Sequence, residues 1–135
     1  MNILLCGPFG IEKSVKENFA APPLGPHRLA AWLRAQGHHA EVFDFNIHSD
    51  FEAKLLARTW DIIGFSTIQV SLPYDIRAAQ RARVLAPSAK IVFGGIEATL
   101  NYQDILDCAP TDIIALGEGE RLLLGLAEGR PLEDL

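Results

Sequence analysis

Apolar residues gather in five short runs along the chain: Asn2 to Cys6, Ala40 to Phe45, Asp61 to Ser66, Ala89 to Phe93 and Asp112 to Leu116. In the stretches ILLC, IIGF and IVF the apolar positions are nearly continuous. A strand with one wet face alternates, so continuous short runs predict strands covered on both faces, as in a parallel sheet. The second run, AEVFDF, alternates more and fits an edge strand.

Helical spacing fills the intervals. In GPHRLAAWLRAQG, Leu29, Trp32 and Leu33 recur at i, i+3 and i+4 and predict an inward face, with Gly37 placed as a C-terminal cap. Ser49 and Glu52 have capping-box spacing at the head of a helix on which Phe51 and Leu55 share a face. A third helix is predicted over about 73 to 86, with Ile76, Ala79, Ala82 and Leu85 inward and Pro87 as its stop. A fourth, NYQDILDCA, places Tyr102, Ile105, Leu106 and Ala109 on one side, and a fifth, from about Glu118, groups Leu122, Leu123 and Leu126. Strand and helix alternating in this way predict an α/β fold: a flavodoxin-like (Rossmann-like), doubly wound five-stranded parallel sheet of order 2-1-3-4-5. Residues 1–128 read as one domain, and GRPLEDL, residues 129–135, as the start of a linker.

Length and composition agree with that picture. A chain of 135 residues, 49% hydrophobic and 21% charged, fits one ordinary globular domain. The net charge of -5 offers no footprint for nucleic acid, which needs a basic patch. Arg77, Arg81 and Arg83 form a modest cluster that reads as the solvated side of a helix. Cys6 and Cys108 read as buried or half-buried free thiols, with no disulfide framework. The opening MNILLCGPFG is too short for a signal h-region, and no apolar stretch nears the roughly 20 residues of a membrane helix. A reducing, cytoplasmic compartment is expected.

In an open parallel sheet, ligands bind beyond the carboxyl ends of the strands. Those ends read CGPFG, FDFN, GFSTIQ, FGGIEAT and LGEGE, and four of the five are small or glycine-rich. Glycine permits positive φ and close backbone approach, so together these loops predict a wide, backbone-lined shelf for a large or extended ligand. Any single one of them also reads as a tight strand-to-helix turn. Rival readings of the fold lack their chemistry. A phosphoacceptor receiver needs carboxylates after its first strand, where LLCGPFG has none, and an Asp ending the third, where Ser66 stands. A flavodoxin needs a Ser/Thr-Gly phosphate loop after the first strand, and GPFGIEK is a poor one; G-x-G-x-x-G is absent there, and GEGE lacks the third glycine.

The ordered set PPLGPHRLAAWLRAQGHHAEVFDF, DIIGFST, IVFGGIEAT and DIIALGEGE resembles the cobalamin-binding domain of cobalamin-dependent radical SAM enzymes. That family shows Pro-Pro-Leu-Gly opening its first helix, G-x-S after the third strand, Gly-Gly-x-x-x-T after the fourth and Gly-Glu-Gly-Glu after the fifth. The likeness runs from about Met1 to Leu126. It implies a shelf that holds the lower face and nucleotide tail of cobalamin. Gly94 and Gly95 would let the tail pass the fourth strand, Ser66 and Thr67 would supply hydroxyls, with Ile68 beside them, and Glu97, Ala98 and Thr99 would border it. Gly117, Glu118, Gly119 and Glu120 would present backbone N–H groups at a helix N-terminus, where the two carboxylates also suit the helix dipole. Gly7, Pro8, Phe9 and Gly10 would lie under or beside the corrin ring.

Many cobalamin domains carry Asp-x-His-x-x-Gly after the first strand, with the His on cobalt. This chain reads CGPFGIEKS there, and the radical SAM branch usually lacks that His as well. His27, His38, His39 and His48 read as surface or cap residues, His27 being the one whose helix start faces the shelf. Radical SAM chemistry needs C-x-x-x-C-x-x-C for its [4Fe–4S] cluster, which two isolated cysteines cannot supply. No catalytic constellation and no zinc spacing is present. The expectation is a binding module that holds the corrinoid without a protein His ligand, for a methyltransferase or tetrapyrrole-type cyclase. S-adenosylmethionine and the cluster would be bound in a barrel in cis or on a partner. The alternatives are a cofactor-free docking domain of the same fold, or a flavin or nucleotide binder of the flavodoxin class.

Overall fold

The computed structural model describes residues 1–8 and 22–135 of the chain. Its sheet has strands β1 (Asn2–Cys6), β2 (His39–Phe43), β3 (Ile62–Ser66), β4 (Lys90–Gly94) and β5 (Ile113–Ile114). They lie in the order β2-β1-β3-β4-β5 with every pairing parallel, the order the sequence pattern predicts. β2 is an edge strand and ends earlier than its apolar pattern. Its successor Asp44 builds a turn, accepting from Asn46 N through Oδ1 at 2.9 Å and from His48 N through its carbonyl at 2.8 Å.

The nearly continuous runs are explained by two apolar layers. On one face Leu4, Cys6, Ile63, Phe65, Ile91 and Phe93 meet helices α2 (Phe51–Leu56), α3 (Leu72–Leu85), α4 (Ile96–Leu100) and α5 (Tyr102–Cys108). On the other, Ile3, Leu5, Ile62 and Val92 meet α1 (Leu24–Ala35) and α6 (Glu120–Ala127). Successive strand residues point to opposite faces, so each residue of a run is buried by a different layer. Phe65 and Phe93 stack with ring centroids 5.2 Å apart across β3 and β4. Trp60 is fully buried, and its indole N–H donates to Lys54 O at 3.1 Å.

Several details depart from the helical pattern. The buried stripe of α1 runs through Pro26, Ala30 and Leu33, and Trp32 is 43% exposed. Pro26, Ala30 and Leu33 are spaced i, i+4 and i+7 along one face, and Trp32, about 100° round the helix from Leu33, falls beside that stripe. α2 is capped by Asp50, not Ser49: Asp50 is left-handed (φ 60°) and its carboxylate accepts from Ala53 N at 3.0 Å. α5 meets the core through Ile105, leaving Tyr102, Leu106 and Cys108 exposed. In α3, Asp75, Ala78, Ala79 and Ala82 are buried, while Ile76 and Leu85 lie half-buried at the margin. Arg83 is tied down, donating to Ala89 O, Pro110 O and Asp112 Oδ2. Residues 129–135 fold back on α6: Arg130 N donates to Gly125 O at 2.8 Å, and the Leu135 side chain covers Gly125. No helix among the described residues is long and apolar enough to cross a membrane.

Candidate cofactor cleft

A cleft of about 270 Å³ opens at the carboxyl ends of β1, β3, β4 and β5, between α1 and α6. Its floor is formed by Leu5, Gly64, Ser66, Val92 and Gly94. One wall is the first part of α1, with Gly25, Pro26, Arg28 and Leu29. The opposite wall is the loop after β5 and the head of α6, with Gly117 to Glu120 and Leu123. The space exists because side chains are missing from the floor. A Cβ at Gly94 would stand 3.5 Å from the Ala115 Cβ, an ordinary contact, so nothing in the fold forbids a side chain there. A Cβ at Gly64 would meet Leu5 Cδ2 at 2.9 Å.

Gly95, next in sequence, is glycine for another reason. It caps α4 at φ 94° and ψ -176°, a region nearly closed to other residues. A Cβ there would lie 2.7 Å from Thr67 O. The ends of β3 and β4 are laced at this point, with Thr67 N donating to Gly94 O at 2.9 Å. Gly94 therefore leaves room for a ligand, whereas Gly95 lets two backbones touch.

Ser66, Gly94, Gly95 and Gly117 to Glu120 are brought together on the cleft, and the other expected residues among those described are not on its surface. Gly7 is buried and continues the β1–β2 ladder, its N–H donating to Phe43 O at 2.9 Å; a Cβ there would meet Pro23 Cγ at 2.8 Å. Pro8 is half-buried beside it, and Phe9 and Gly10 lie outside the described residues. Thr67 is fully buried, its hydroxyl 3.4 Å from Ile68 O, and Ile68 is 38% exposed. Glu97 is buried and accepts from Asn101 Nδ2 at 2.9 Å, and Ala98 belongs to the core. Thr99 frames the cleft indirectly. Its hydroxyl donates to Gly95 O and accepts from Gly117 N, both at 3.0 Å, tying the β4 and β5 loops together.

Gly64, Gly25 and Arg28 line the cleft with no site role read from the sequence, as do Leu29 and Leu123, which the sequence reading gives only as inward helix residues. Gly64 had a signal, as the interruption of an otherwise apolar strand. A second unforeseen feature lies beneath the rim. Asp75 is 1% exposed, Ser71 Oγ donates to its Oδ2 at 2.7 Å, and its Oδ1 has no hydrogen-bond partner among the described residues. Burial pushes its carboxyl up to about 7, against the opposing pull of the Ser71 hydrogen bond and of the neighbouring Thr67 hydroxyl. Cys6 is also buried, and burial first, then the nearby Asp75, raises its thiol well above the usual range.

Three of the four histidines are engaged away from the cleft: His38 Nδ1 lies 3.3 Å from the Met1 amine, His39 Nε2 lies 2.7 Å from Glu41 Oε1, and His48 Nδ1 accepts from Asp44 N at 2.9 Å. His27 is exposed in the first turn of α1. Among the described residues no group of His, Cys, Asp and Glu is arranged to hold a metal ion.

The chain is 31% identical over 123 residues to the anaerobic magnesium-protoporphyrin IX monomethyl ester cyclase of Rubrivivax gelatinosus, covering 84% of this chain and 22% of the relative. It is 32% identical over 105 residues to the hopanoid C-3 methylase of Methylococcus capsulatus, covering 73% of this chain and 20% of the relative. The chain thus spans about a fifth of the length of the curated relatives it matches. Its fold is shared with the solved structure of the cobalamin-dependent S-adenosylmethionine radical enzyme OxsB with aqua-cobalamin bound. The TM-score is 0.73 and the identity 22%, over 98% of this chain and 19% of that one. The B12 binding domain family matches residues 16–127, most of the sequence, and with the parallel sheet and the glycine-floored cleft in place the chain belongs to that family.

Proposed function

We propose that the cleft receives the nucleotide arm of cobalamin, and that the chain is the corrinoid-holding module of a cobalamin-dependent radical SAM methyltransferase or tetrapyrrole-type cyclase. The observation that carries this is the floor itself: Gly64 and Gly94 withdraw side chains from the middle of a covered parallel sheet, which would otherwise be filled. At about 270 Å³ the space is near the lower end for ligand pockets, enough for an arm and not for a macrocycle. The corrin would rest outside it, over the rim. Leu5, Leu29, Val92 and Leu123 exclude water from the flat base and sugar of the arm. The Ser66 hydroxyl and the first N–H groups of α6 meet its polar atoms.

Bound cobalamin supplies a methyl group for transfer or supports a radical rearrangement; the chain supplies position and shielding. No histidine of the described residues borders the cleft. On this reading residues 1–128 are the binding unit, residues 129–135, packed back on α6, begin the linker, and a catalytic barrel, in cis or on a partner, binds S-adenosylmethionine and a [4Fe–4S] cluster. Cys6 and Cys108 are free thiols, which suits a reducing cytoplasm.

The test mixes the purified chain with hydroxocobalamin, removes free ligand by gel filtration and records the visible spectrum. Corrin bands should travel with the protein. Gly94→Val, which fills the floor, should weaken uptake by about five- to 150-fold, the range of an overpacking penalty of about 1–3 kcal/mol. A colourless wild-type protein, or full uptake by a folded Gly94→Val variant, would overturn the reading.

A further inference from the structure

Across the mouth of the cleft, Arg28 Nη2 on α1 lies 3.1 Å from Glu120 Oε1 and 3.8 Å from Glu118 Oε2 on the opposite wall. Arg28 is the only cationic side chain lining the cleft among the described residues. Its position is unusual. The guanidinium sits at the head of α6, the positive end of that helix, where a cation is disfavoured unless anions accompany it. The two carboxylates do that, but the partnership is loose. The Arg28 and Glu118 side chains are 70% and 81% exposed, so that pair is held weakly, and the closer pair joins the exposed Arg28 to a Glu120 side chain that is 19% exposed.

We propose that Arg28 recognises the phosphodiester of the nucleotide arm, and that Glu118 and Glu120 hold it across the cleft until the phosphate takes their place. This rests on the cobalamin reading above and assigns a residue to one chemical group of that ligand. A guanidinium matches a phosphate with two parallel hydrogen bonds, whereas Glu120 here offers one oxygen at hydrogen-bonding range. The exchange replaces a weak, partly wet pair with a charge-assisted fork, at a helix end that also favours the incoming anion. The carboxylates then act as competitors. Removing the nearer one frees Arg28 and lowers the negative charge that the phosphate meets.

The test is the dissociation constant of hydroxocobalamin, read by visible titration on the whole chain at low and high salt, with thermal melts to confirm folding. Arg28→Ala should bind about tenfold more weakly than wild type, with the gap narrowing at high salt. Arg28→Lys, which keeps charge without the fork, should fall between. Glu120→Gln, which removes the nearer competitor, should bind up to a few-fold tighter than wild type. Equal binding by wild type and Arg28→Ala would overturn the assignment while leaving the cobalamin reading intact. Matching losses in Glu120→Gln and Arg28→Ala would also overturn it, since the pair would then merely hold the walls together. No binding by wild type would remove both.

Discussion

Replacing Asp75 with asparagine should abolish a pH dependence of stability that the wild type carries near neutrality. The carboxyl is 1% exposed, with one oxygen bonded to Ser71 and the other unpartnered among the described residues. Its value rises from an ordinary 3.8 to about 7. The folded chain therefore holds a proton that the unfolded chain has released, at every pH between those values. Stability from this group is complete below about pH 4 and is lost as pH rises through 7. The span of about three pH units, at roughly 1.4 kcal/mol each, amounts to about 4 kcal/mol, of which about 2–3 kcal/mol falls between pH 5 and pH 8. For a domain of this size that is a fall in Tm of about 8–12 °C. The assay is urea or thermal unfolding of wild type and Asp75→Asn at pH 5, 6, 7 and 8. The variant cannot release a proton, so the two curves should diverge, the wild type losing stability toward alkaline pH relative to the variant. Taking the difference cancels the histidines and surface groups common to both proteins. Parallel curves would refute the reasoning and would mean that water or a partner reaches the carboxylate.

Other consequences are simpler to state. Gly95→Ala should lower stability by at least about 1–3 kcal/mol in urea unfolding, since it forces a side chain to φ 94° against Thr67 O; a stability equal to wild type would refute the backbone-contact account. Asp50→Ala should cost about 1–2 kcal/mol by the same measurement, because it removes the α2 cap and puts alanine at φ 60°, whereas Asp50→Asn should recover most of the loss. A thiol reagent at neutral pH should modify one equivalent rapidly, at the exposed Cys108, and reach the buried Cys6 only on unfolding; two fast equivalents would show that the β1 end opens readily.

The two glycines ending β4 show how far the sequence can be read. Both announce that a side chain has been withheld after an apolar strand, and both were rightly connected with the rim. What separates them is the partner across the gap: open cleft and Ala115 for Gly94, the carbonyl of Thr67 for Gly95. That partner arrives from β3, some 30 residues away, and no local pattern specifies it. The sheet order was legible for the opposite reason. Apolar continuity within a run and alternation in AEVFDF are local consequences of how many faces each strand buries. Asp75 was missed because helical periodicity counts apolar residues, and a carboxylate scores as a solvated position. Its burial depends on Ser71 and Thr67 converging beneath the end of β3, which a one-dimensional pattern does not contain. Arg28 carries no signal of its own in the sequence, and it gains meaning only when α6 is laid beside α1. In this chain local burial writes the frame into the sequence, and the chemistry of the cleft comes from pairs of elements that meet only after folding. Filling the floor at Gly94 should therefore cost ligand uptake while leaving the frame intact, whereas Gly95→Ala should disturb the frame itself, because its partner is the backbone of Thr67.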